Sequence, residues 1–403
     1  NRGTQEYDCY FFSHNKWETQ KFRQMKTVVV NGANGYVASN FINKLLKQGV
    51  NVIALVRPNK KYSPTDRIKK VLANLNDGSE TDTSRLTVYG YSLLQKDFSL
   101  QEADLRKIFR KDVDYFHFAA SLKYDEKSVD EIFSTNIEGV ENSISVFLRY
   151  ATKKSRFMHI STAYSCGRFS GRFSENFYNN EDISSFRNYY EQSKRFAENI
   201  VKKYIDKKGL NAYIIRLSQV VGNNESGITK TDYGIFDFTK RMYRLAQRYP
   251  GREIRIQVDP DSTQNLIPVD TVVNHLCKVI DAGTLPAIMN FVSDSPVRNK
   301  YIIDTLNQLM PVHIVPLKDF DRQGMSSIER LAAVGMSFTH SYVDTNLLFE
   351  TKHRDTFVQA SKTGPDRTSV SRMLEYFINS LEEKKQHPEK ADSAVINSKI
   401  SCN

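Results

Sequence analysis

A tyrosine and a lysine stand four residues apart in the segment 188–194, which reads Asn-Tyr-Tyr-Glu-Gln-Ser-Lys. In a helix, this spacing places the side chains of Tyr190 and Lys194 on the same face. An ammonium group beside a phenol stabilises the phenolate and makes the proton easier to release. The pair is therefore suited to act as a general acid on a carbonyl oxygen. The alternative is that these are two surface residues, which is the more common meaning of this spacing taken alone.

The chain upstream of this pair has the pattern of a nucleotide-binding turn. A β-branched run, 27–31, predicts a buried parallel strand. A glycine-containing turn over 32–38 follows, then a segment with helical apolar spacing over 39–49, then a second predicted strand over 51–57. In such a unit the glycines let a pyrophosphate approach backbone amides at the helix N-terminus. The predicted cofactor contacts in this turn are Gly32, Asn34, Gly35, Tyr36 and Val37.

The residue that follows the second strand indicates which cofactor is bound. A carboxylate at this place would accept a hydrogen bond from the ribose 2′-hydroxyl of NAD. This chain has Arg57 instead, with Lys60 and Lys61 nearby, and a guanidinium matches a 2′-phosphate in geometry and charge. We therefore expect NADP(H) rather than NAD(H), with Arg57 and Lys60 as contacts. The alternative is that these cations belong only to a generally basic surface.

Alternating strand and helix patterns continue through the first half of the chain. Further strands are predicted over 85–90, 113–120, 157–162 and 212–216, with helices between them. Repeated βα units predict an α/β fold of the Rossmann type, a doubly wound parallel sheet whose ligands bind beyond the carboxyl ends of the strands. The small residues Ala119 and Ala120 close one strand, where a cofactor can lie near the backbone, and Thr162 closes another.

The composition of the 403 residues argues against several classes of protein. The net charge is +11, but the lysines are spread over helix-like segments without a compact arginine-rich block, so we expect no nucleic-acid partner. The four cysteines are scattered and the eight histidines form no ligand cluster. We therefore expect no metal and a reducing, cytoplasmic location. No apolar run has the length of a membrane span.

Several motifs together resemble the extended short-chain dehydrogenase/reductases in order and spacing. They are Gly32-x-x-Gly35-x-x-Ala38, Ala119-Ala120, Ser161-Thr162, Tyr190-x-x-x-Lys194 and Arg216-Leu217-Ser218, and they cover the chain from Lys26 to about Asp294. The resemblance implies that Tyr190 is the catalytic acid, that Lys194 supports it and binds the ribose, and that Thr162 positions the substrate oxygen. It also implies that Asn136 helps to hold the lysine through water, and that Leu217 and Val220 contact the cofactor.

Within this superfamily, the stretches 113–126 and 216–222 are similar to fatty acyl reductases and carrier-protein thioester reductases. The similarity implies an NADPH-dependent enzyme that reduces an acyl thioester of CoA or of a carrier protein to an aldehyde or alcohol. Three other functions stay open: a sugar-nucleotide epimerase or dehydratase with tightly bound NAD, a ketone or hydroxysteroid-type reductase, and a non-catalytic NADP-sensing protein. One departure from the superfamily pattern is Tyr91, where an aspartate near the adenine is usual and a tyrosine can stack instead.

Composition and motifs also predict how the chain is divided. Residues 1–24 form an N-terminal extension, and residues 25–300 form the NADP-binding core with a cap insertion at about 223–262. Residues 301–382 form a smaller, mostly helical substrate-binding region that completes the cap. The charged and polar residues 383–403 are predicted to form a disordered tail. We expect a monomer or a homodimer.

Overall fold

The first strand, β1, begins at Thr27 and ends at Asn31, and the valines between them are completely buried. β-Branched side chains favour the extended backbone and pack well in a sheet that is covered on both faces. In the computed structural model of the protein, β1 pairs in parallel with the strand at 51–56 on one side and with the strand at 113–117 on the other. It therefore lies in the middle of the sheet.

The structure describes residues 26–76, 78–321, 323–334, 342, 345–358 and 363–386. The predicted N-terminal extension, 1–24, lies outside these residues, as do residues 387–403 of the predicted tail. Residues 383–386 of that tail belong instead to the last helix, which begins at Arg367 and ends at Gln386. Lysines in its last turn interact favourably with the helix dipole, so the helix continues past the predicted boundary.

Seven parallel strands form the main sheet, in the order β12, β7, β5, β4, β1, β2, β3. The strands in chain order are β1 (Thr27–Asn31), β2 (Asn51–Val56), β3 (Leu86–Gly90), β4 (Val113–His117), β5 (Arg156–Thr162), β6 (Arg172–Phe173), β7 (Ala212–Leu217), β8 (Gln219–Val221), β9 (Glu253–Gln257), β10 (Thr263–Gln264), β11 (Leu266–Pro268), β12 (Ile288–Phe291), β13 (Val297–Arg298), β14 (His313–Leu317) and β15 (Leu348–Phe349).

Helices cover both faces of this sheet. The α-helices are α1 (Tyr36–Lys47), α2 (Pro64–Leu75), α3 (Glu102–Ile108), α4 (Val129–Phe133), α5 (Gly139–Tyr150), α6 (Tyr189–Lys208), α7 (Ile235–Arg248), α8 (Val269–Asp281), α9 (Asn299–Leu309), α10 (Ser327–Val334) and α11 (Arg367–Gln386). A π-helical segment, Ser134–Glu138, joins α4 to α5, and short 3-10 helices lie at Lys96–Ser99, Glu126–Ser128, Ala163–Cys166, Ile183–Ser185 and Arg354–Thr356.

A second apolar core lies in the cap. It joins α7 and β9 of the predicted insertion to α9, β14 and α11 of the C-terminal region, through side chains such as Phe236, Ile254, Ile314 and Phe377. β9 and β14 pair in parallel although about 60 residues separate them. The cap is therefore one packed unit built from two separate stretches of the chain.

The predicted Rossmann-type fold is confirmed, and the strands of its first half end within three residues of their predicted ends. The seventh strand, β12, and the short pairs of the cap were not predicted. The pairs β8 with β11 and β9 with β14 join segments far apart in sequence. A short apolar run does not indicate its pairing partner.

Candidate active site

The predicted site residues follow the carboxyl ends of five adjacent strands. In the order of the sheet they are Leu217 in β7, Thr162 in β5, Ala119 beyond β4, Gly32 beyond β1 and Arg57 beyond β2. Neighbouring strands lie about 4.8 Å apart, so the row from Thr162 to Arg57 covers three spacings, about 14 Å. The strand order reverses between β1 and β4, which is where open α/β sheets bind their ligands. The row fits an extended dinucleotide.

The glycine turn presents backbone N–H groups at this edge. Gly32 has a φ of +59°, and a Cβ there would lie 2.8 Å from the Ala119 backbone nitrogen, so the position requires glycine. The Gly35 N–H donates to the Gly32 carbonyl at 2.9 Å and closes the turn. Helix α1 then begins at Tyr36 without a side-chain cap or an acidic residue in its first turn. Its first N–H groups are left to bind an anion such as a phosphate. The other predicted contacts near this turn are at least partly exposed: Asn34, Gly35, Val37 and Ala120.

Asn31, the last residue of β1, organises the loop that follows β4. Its Oδ1 accepts hydrogen bonds from the backbone N–H groups of Phe118 (2.8 Å) and Ala119 (3.0 Å). Its Nδ2 donates to the Tyr115 hydroxyl at 3.1 Å and lies 2.8 Å from His117 Nδ1. The residue is completely buried. Sequence reasoning missed this function, for which the only signal is a polar residue that closes an apolar strand.

Tyr91 supports the glycine turn from β3. Its hydroxyl accepts the Gly32 N–H at 3.1 Å, and its ring packs edge-on against Phe98 at 5.5 Å between centroids. The side chain is 4% exposed, and burial raises the pKa of Tyr91 to about 12. The expectation that this ring stacks on the adenine is therefore wrong for this conformation, because the ring is packed inside the protein.

Positive charge is concentrated at the end of β2. Arg67, from α2, donates Nη1 to the Arg57 carbonyl at 2.6 Å. Burial, and then the charge of Arg57, lower the pKa of the Arg67 guanidinium. Two nearby guanidinium groups repel each other, and an anion between them relieves the repulsion. Lys60 is exposed three residues further on, so the local electrostatics suit a phosphate at this end of the row.

Helix α6 brings the predicted tyrosine to the predicted threonine. Asn188 caps the helix, because its Oδ1 accepts the Glu191 N–H at 3.0 Å. Tyr190 then lies in the first turn with its phenol beside Thr162, whose hydroxyl donates to the Leu217 carbonyl at 3.3 Å and can accept a hydrogen bond from Tyr190. Burial raises the pKa of the Tyr190 phenol, and this hydrogen bond opposes only part of the effect. Tyr190 therefore keeps its proton at neutral pH, as a proton donor must.

Lys194 lies one turn further along α6 and is 2% exposed. Its Nζ donates to the Ile160 carbonyl in β5 at 2.7 Å. Burial lowers the pKa of Lys194 to about 8, against the raising effect of the Glu198 carboxylate. The sequence predicts that this ammonium makes Tyr190 more acidic. In the structure burial outweighs any such effect, since the pKa of the phenol is raised.

Asn136 lies in the π-helical segment between α4 and α5. Its Oδ1 accepts the Ser121 N–H at 2.7 Å, and its Nδ2 donates to the Ser121 carbonyl at 3.1 Å and to Ser193 Oγ at 2.9 Å. The amide thus joins the loop after β4 to the residue before Lys194. π-Helical turns are frequent at functional sites. The link from Asn136 to Lys194 through water stays a prediction.

A buried ion pair supports α6 from the sheet. Arg216 in β7 and Glu198 approach at 3.0 Å (Nε to Oε1) and 2.7 Å (Nη2 to Oε2), and both are at most 1% exposed. Ser161 Oγ donates to the same carboxylate at 2.6 Å. Although burial raises it, the pKa of Glu198 is held below its usual value by Arg216 and by these hydrogen bonds. The pair fixes α6 against the strands that end in Thr162 and Leu217.

A family model described as male sterility protein, whose label denotes NAD binding, matches residues 30–276, more than half of the chain. The chain belongs to this family. Fatty acyl-CoA reductase 8 of Arabidopsis thaliana is 28% identical over 178 residues, which make up 40% of this chain and 36% of that protein. The matched segment thus covers little more than a third of the plant protein.

Solved structures confirm the fold of this male sterility family member. The terminal R domain from the myxalamid PKS-NRPS biosynthetic pathway superposes with a TM-score of 0.72 at 17% identity, over 89% of this chain and 91% of that one. UDP-glucuronic acid 4-epimerase from Bacillus cereus, solved with UDP-glucuronic acid and NAD, gives 0.62 at 17% identity, over 88% and 99%. With the family match, these confirm the predicted resemblance to the extended short-chain dehydrogenase/reductases, with the acyl reductases as the branch.

The male sterility family binds a nicotinamide dinucleotide, and the end of β7 suits one end of it. The Tyr36 hydroxyl donates to the Val221 carbonyl at 3.0 Å, which ties the glycine turn to β8 and its partly buried Val220. Ser218 Oγ and Gln219 Nε2, next to Leu217, are buried and have no hydrogen-bond partner among the described residues. Buried polar atoms are rarely left unpaired, so these two atoms could hydrogen-bond a ligand that has its own donor and acceptor, such as a carboxamide.

Two further properties concern the part of the chain that the structure describes. No helix within it is long and apolar enough to cross a membrane. Within the same residues, His, Cys, Asp and Glu side chains form no group of three or more that suits a metal ion.

Proposed function

We propose that the protein reduces an acyl thioester, carried by CoA or by a carrier protein, with NADPH as the hydride donor. The thioester, NADPH and one proton give an aldehyde, a thiol and NADP⁺. A second hydride and proton convert the aldehyde to an alcohol. The similarity to the Arabidopsis thaliana fatty acyl-CoA reductase and to the R domain supports a thioester as the substrate.

One observation carries this proposal. Thr162 and Tyr190 present neighbouring hydroxyl groups at the carboxyl end of β5, and Tyr190 stays protonated because burial raises the pKa of its phenol. A carbonyl oxygen bound between them accepts from Tyr190, and it also accepts from Thr162 once the threonine hydroxyl turns away from the Leu217 carbonyl. Two donors directed at the oxygen that becomes negative are the arrangement that stabilises an oxyanion.

The residues then have distinct functions in the reaction. The nicotinamide cofactor, when bound, supplies the hydride. Thr162 and Tyr190 hold the thioester oxygen, and Tyr190 transfers its proton as negative charge develops there. The Lys194 ammonium stabilises the resulting phenolate, which favours transfer. The neutral hemithioacetal then releases thiol and leaves the aldehyde.

The remaining predicted residues belong to cofactor binding in this proposal. Gly32 to Val37 and α1 bind the pyrophosphate, and Ala119, Ala120, Leu217 and Val220 contact the nicotinamide half. Arg57, with Lys60, selects NADP(H) by binding the 2′-phosphate. The proximity of Arg57 to Arg67 supports this choice, because two adjacent guanidinium charges favour the binding of an anion such as a phosphate.

The test is a panel of acyl-CoA and acyl-carrier thioesters, with NADPH oxidation followed at the nicotinamide absorbance band. Free thiol and aldehyde are measured in the same samples. We expect one mole of thiol for each mole of NADPH oxidised to aldehyde, and two moles of NADPH per thiol if alcohol is formed. Stoichiometric NAD that co-purifies, without oxidation of NADPH by any thioester, would instead support an epimerase or dehydratase. Oxidation with ketones alone would support the ketone-type reductase.

A further inference from the structure

Two histidines lie side by side beneath the proposed site. His117 ends β4 and aligns with His159 in the neighbouring β5, and their ring centroids are 5.7 Å apart. Both side chains are completely buried. His117 Nε2 and both ring nitrogens of His159 have no hydrogen-bond partner among the described residues. Three unpaired buried nitrogens in one place are unusual and call for a physical explanation.

The tautomer of His117 follows from its neighbour Asn31. The Asn31 Oδ1 accepts two backbone N–H groups, from Phe118 and Ala119, which fixes the orientation of the amide. Its Nδ2 therefore faces His117 Nδ1 as a donor, at 2.8 Å. His117 Nδ1 must then be the acceptor, so the neutral ring carries its hydrogen on Nε2. His117 Nε2–H is thus a buried donor that needs an acceptor.

The charge around the pair comes from Lys194. Burial, and then the Lys194 ammonium, lower the pKa of His117 to about 3, against a smaller raising effect of the Ala119 backbone. Burial, Lys194 and His117 lower the pKa of His159 well below its usual value. Glu198 is the acidic group that acts on Lys194. Both rings therefore stay neutral at any pH at which the protein works, and each has one donor and one acceptor.

One added water pairs two of the three unpaired ring nitrogens, His117 Nε2 and the acceptor nitrogen of His159. Lys194 uses one of its three N–H groups on the Ile160 carbonyl. The group then contains an excess of donors, from the ammonium, from His117 Nε2–H and from the N–H of His159, and one acceptor nitrogen on His159. A water accepts two hydrogen bonds and donates two, so it converts the excess donors into a donor for that acceptor.

We propose that His117 and His159 hold an internal water that accepts from His117 Nε2–H and from the Lys194 ammonium and donates to His159. The two histidines are positioning residues that act through Lys194. The inference rests on the proposed function of Lys194 in cofactor binding. Removing the acceptor on His159 releases the water, and the charged form of Lys194 loses a hydrogen bond, which lowers the pKa of the ammonium.

The first test uses the unaltered protein and needs no substrate. Nitrogen-15 NMR of the ring nitrogens distinguishes the two neutral tautomers and the charged form. We expect His117 to carry its hydrogen on Nε2 and to stay neutral between about pH 6 and 9. A hydrogen on Nδ1, or a ring that titrates in this range, overturns the proposal.

The second test compares His159→Phe with His159→Asn, which keeps an acceptor and a donor. The measured quantity is the affinity for NADPH against pH, by nicotinamide fluorescence, on variants shown by circular dichroism to be folded. In His159→Phe we expect the alkaline loss of affinity to begin about one pH unit lower than in the unaltered protein. In His159→Asn we expect it to begin at the same pH as in the unaltered protein. The matched control is His275→Phe, a buried histidine in α8 whose charged neighbours are Arg354, Lys278 and Asp355.

The outcomes separate this inference from the proposed reaction. The proposal of an internal water is overturned if His159→Phe is folded and its pH profile of NADPH affinity is unchanged. It is also overturned if His275→Phe shows the same shift. If the water is supported but no thioester is reduced, the proposed function fails and this inference stands. If His159→Phe does not fold, the same profile measured on His159→Leu decides, because leucine also lacks an acceptor.

Discussion

Loss of activity above pH 8 is the sharpest consequence of the structure. Lys194 is buried, and its pKa falls from 10.5 to about 8. One pKa unit corresponds to about 1.4 kcal/mol, so burial disfavours the ammonium by about 3 kcal/mol. If the ammonium is the active form, kcat/KM for NADPH-dependent reduction stays level up to about pH 7 and then falls about tenfold per unit above pH 8.

The same pKa predicts a change of stability with pH. Between pH 8 and 10.5 the unfolded chain keeps the lysine proton and the folded chain has lost it. Stability therefore rises with pH in this window, by about 1.4 kcal/mol per unit from this group, and gains nothing from it below pH 8. Urea unfolding at pH 7.5 and 9, compared with Lys194→Met, isolates this contribution.

Lys194→Arg tests which group causes the loss of activity. A guanidinium stays charged above pH 12, so the alkaline limb near pH 8 should disappear even if the level of activity falls. Lys194→Met should be nearly inactive at every pH. A limb that persists unchanged in Lys194→Arg, or an unaltered protein with level kcat/KM from pH 7 to 9.5, refutes the assignment.

Three further predictions concern other parts of the site. Tyr190→Phe should lower kcat by about 10²- to 10⁴-fold, because the proton donor is lost, while Kd for NADPH measured by fluorescence changes little. Arg57→Glu should reverse the preference for NADPH over NADH in the ratio of their Kd values, because a carboxylate repels the 2′-phosphate. Glu198→Gln should lower the free energy of unfolding by about 3–5 kcal/mol in urea titrations, because it leaves the buried Arg216 charge without its partner.

Each of these changes has a matched control. Tyr189→Phe alters the neighbouring tyrosine, whose ring packs edge-on against Phe133, and should keep full activity. Lys60→Gln removes an exposed cation and should change the NADPH preference less than Arg57→Glu does. Equal effects within either pair would contradict the assignments. Glu181→Gln removes an exposed carboxylate 3.9 Å from Arg195 and should cost under about 1 kcal/mol.

Local patterns allowed much of the fold to be predicted. The valine run of β1, the glycine turn and the apolar spacing of α1 are short-range signals, and the structure follows them closely. Local patterns did not predict β12 or the strand pairs of the cap, where β9 pairs with β14 across a long stretch of chain. Such pairing depends on which surfaces remain to be buried once the rest has folded.

Within the site, the sequence predicted the residues with reactive side chains. It did not predict the residues that hold the surrounding loops in place. Tyr190, Thr162 and Lys194 stand in a recognisable order along the chain. Asn31 was missed and Tyr91 was given a different function, because their partners are backbone groups of distant loops. The sequence also predicts the wrong direction for the pKa of Tyr190. The helical spacing shows that the Lys194 charge is near Tyr190. It does not show that the phenol is buried, and burial is what raises its pKa.

The sequence by itself determined that a phenol, an ammonium and a glycine turn belong to one parallel α/β sheet, because strand and helix periodicity and motif order are properties of the chain. Only the tertiary structure decided the states of these groups. It buries Lys194 so that its pKa is about 8, keeps Tyr190 protonated, and places His117 and His159 beneath them. Those states depend on solvent exclusion and on groups from other strands, and solvent exclusion exists only when the chain is folded.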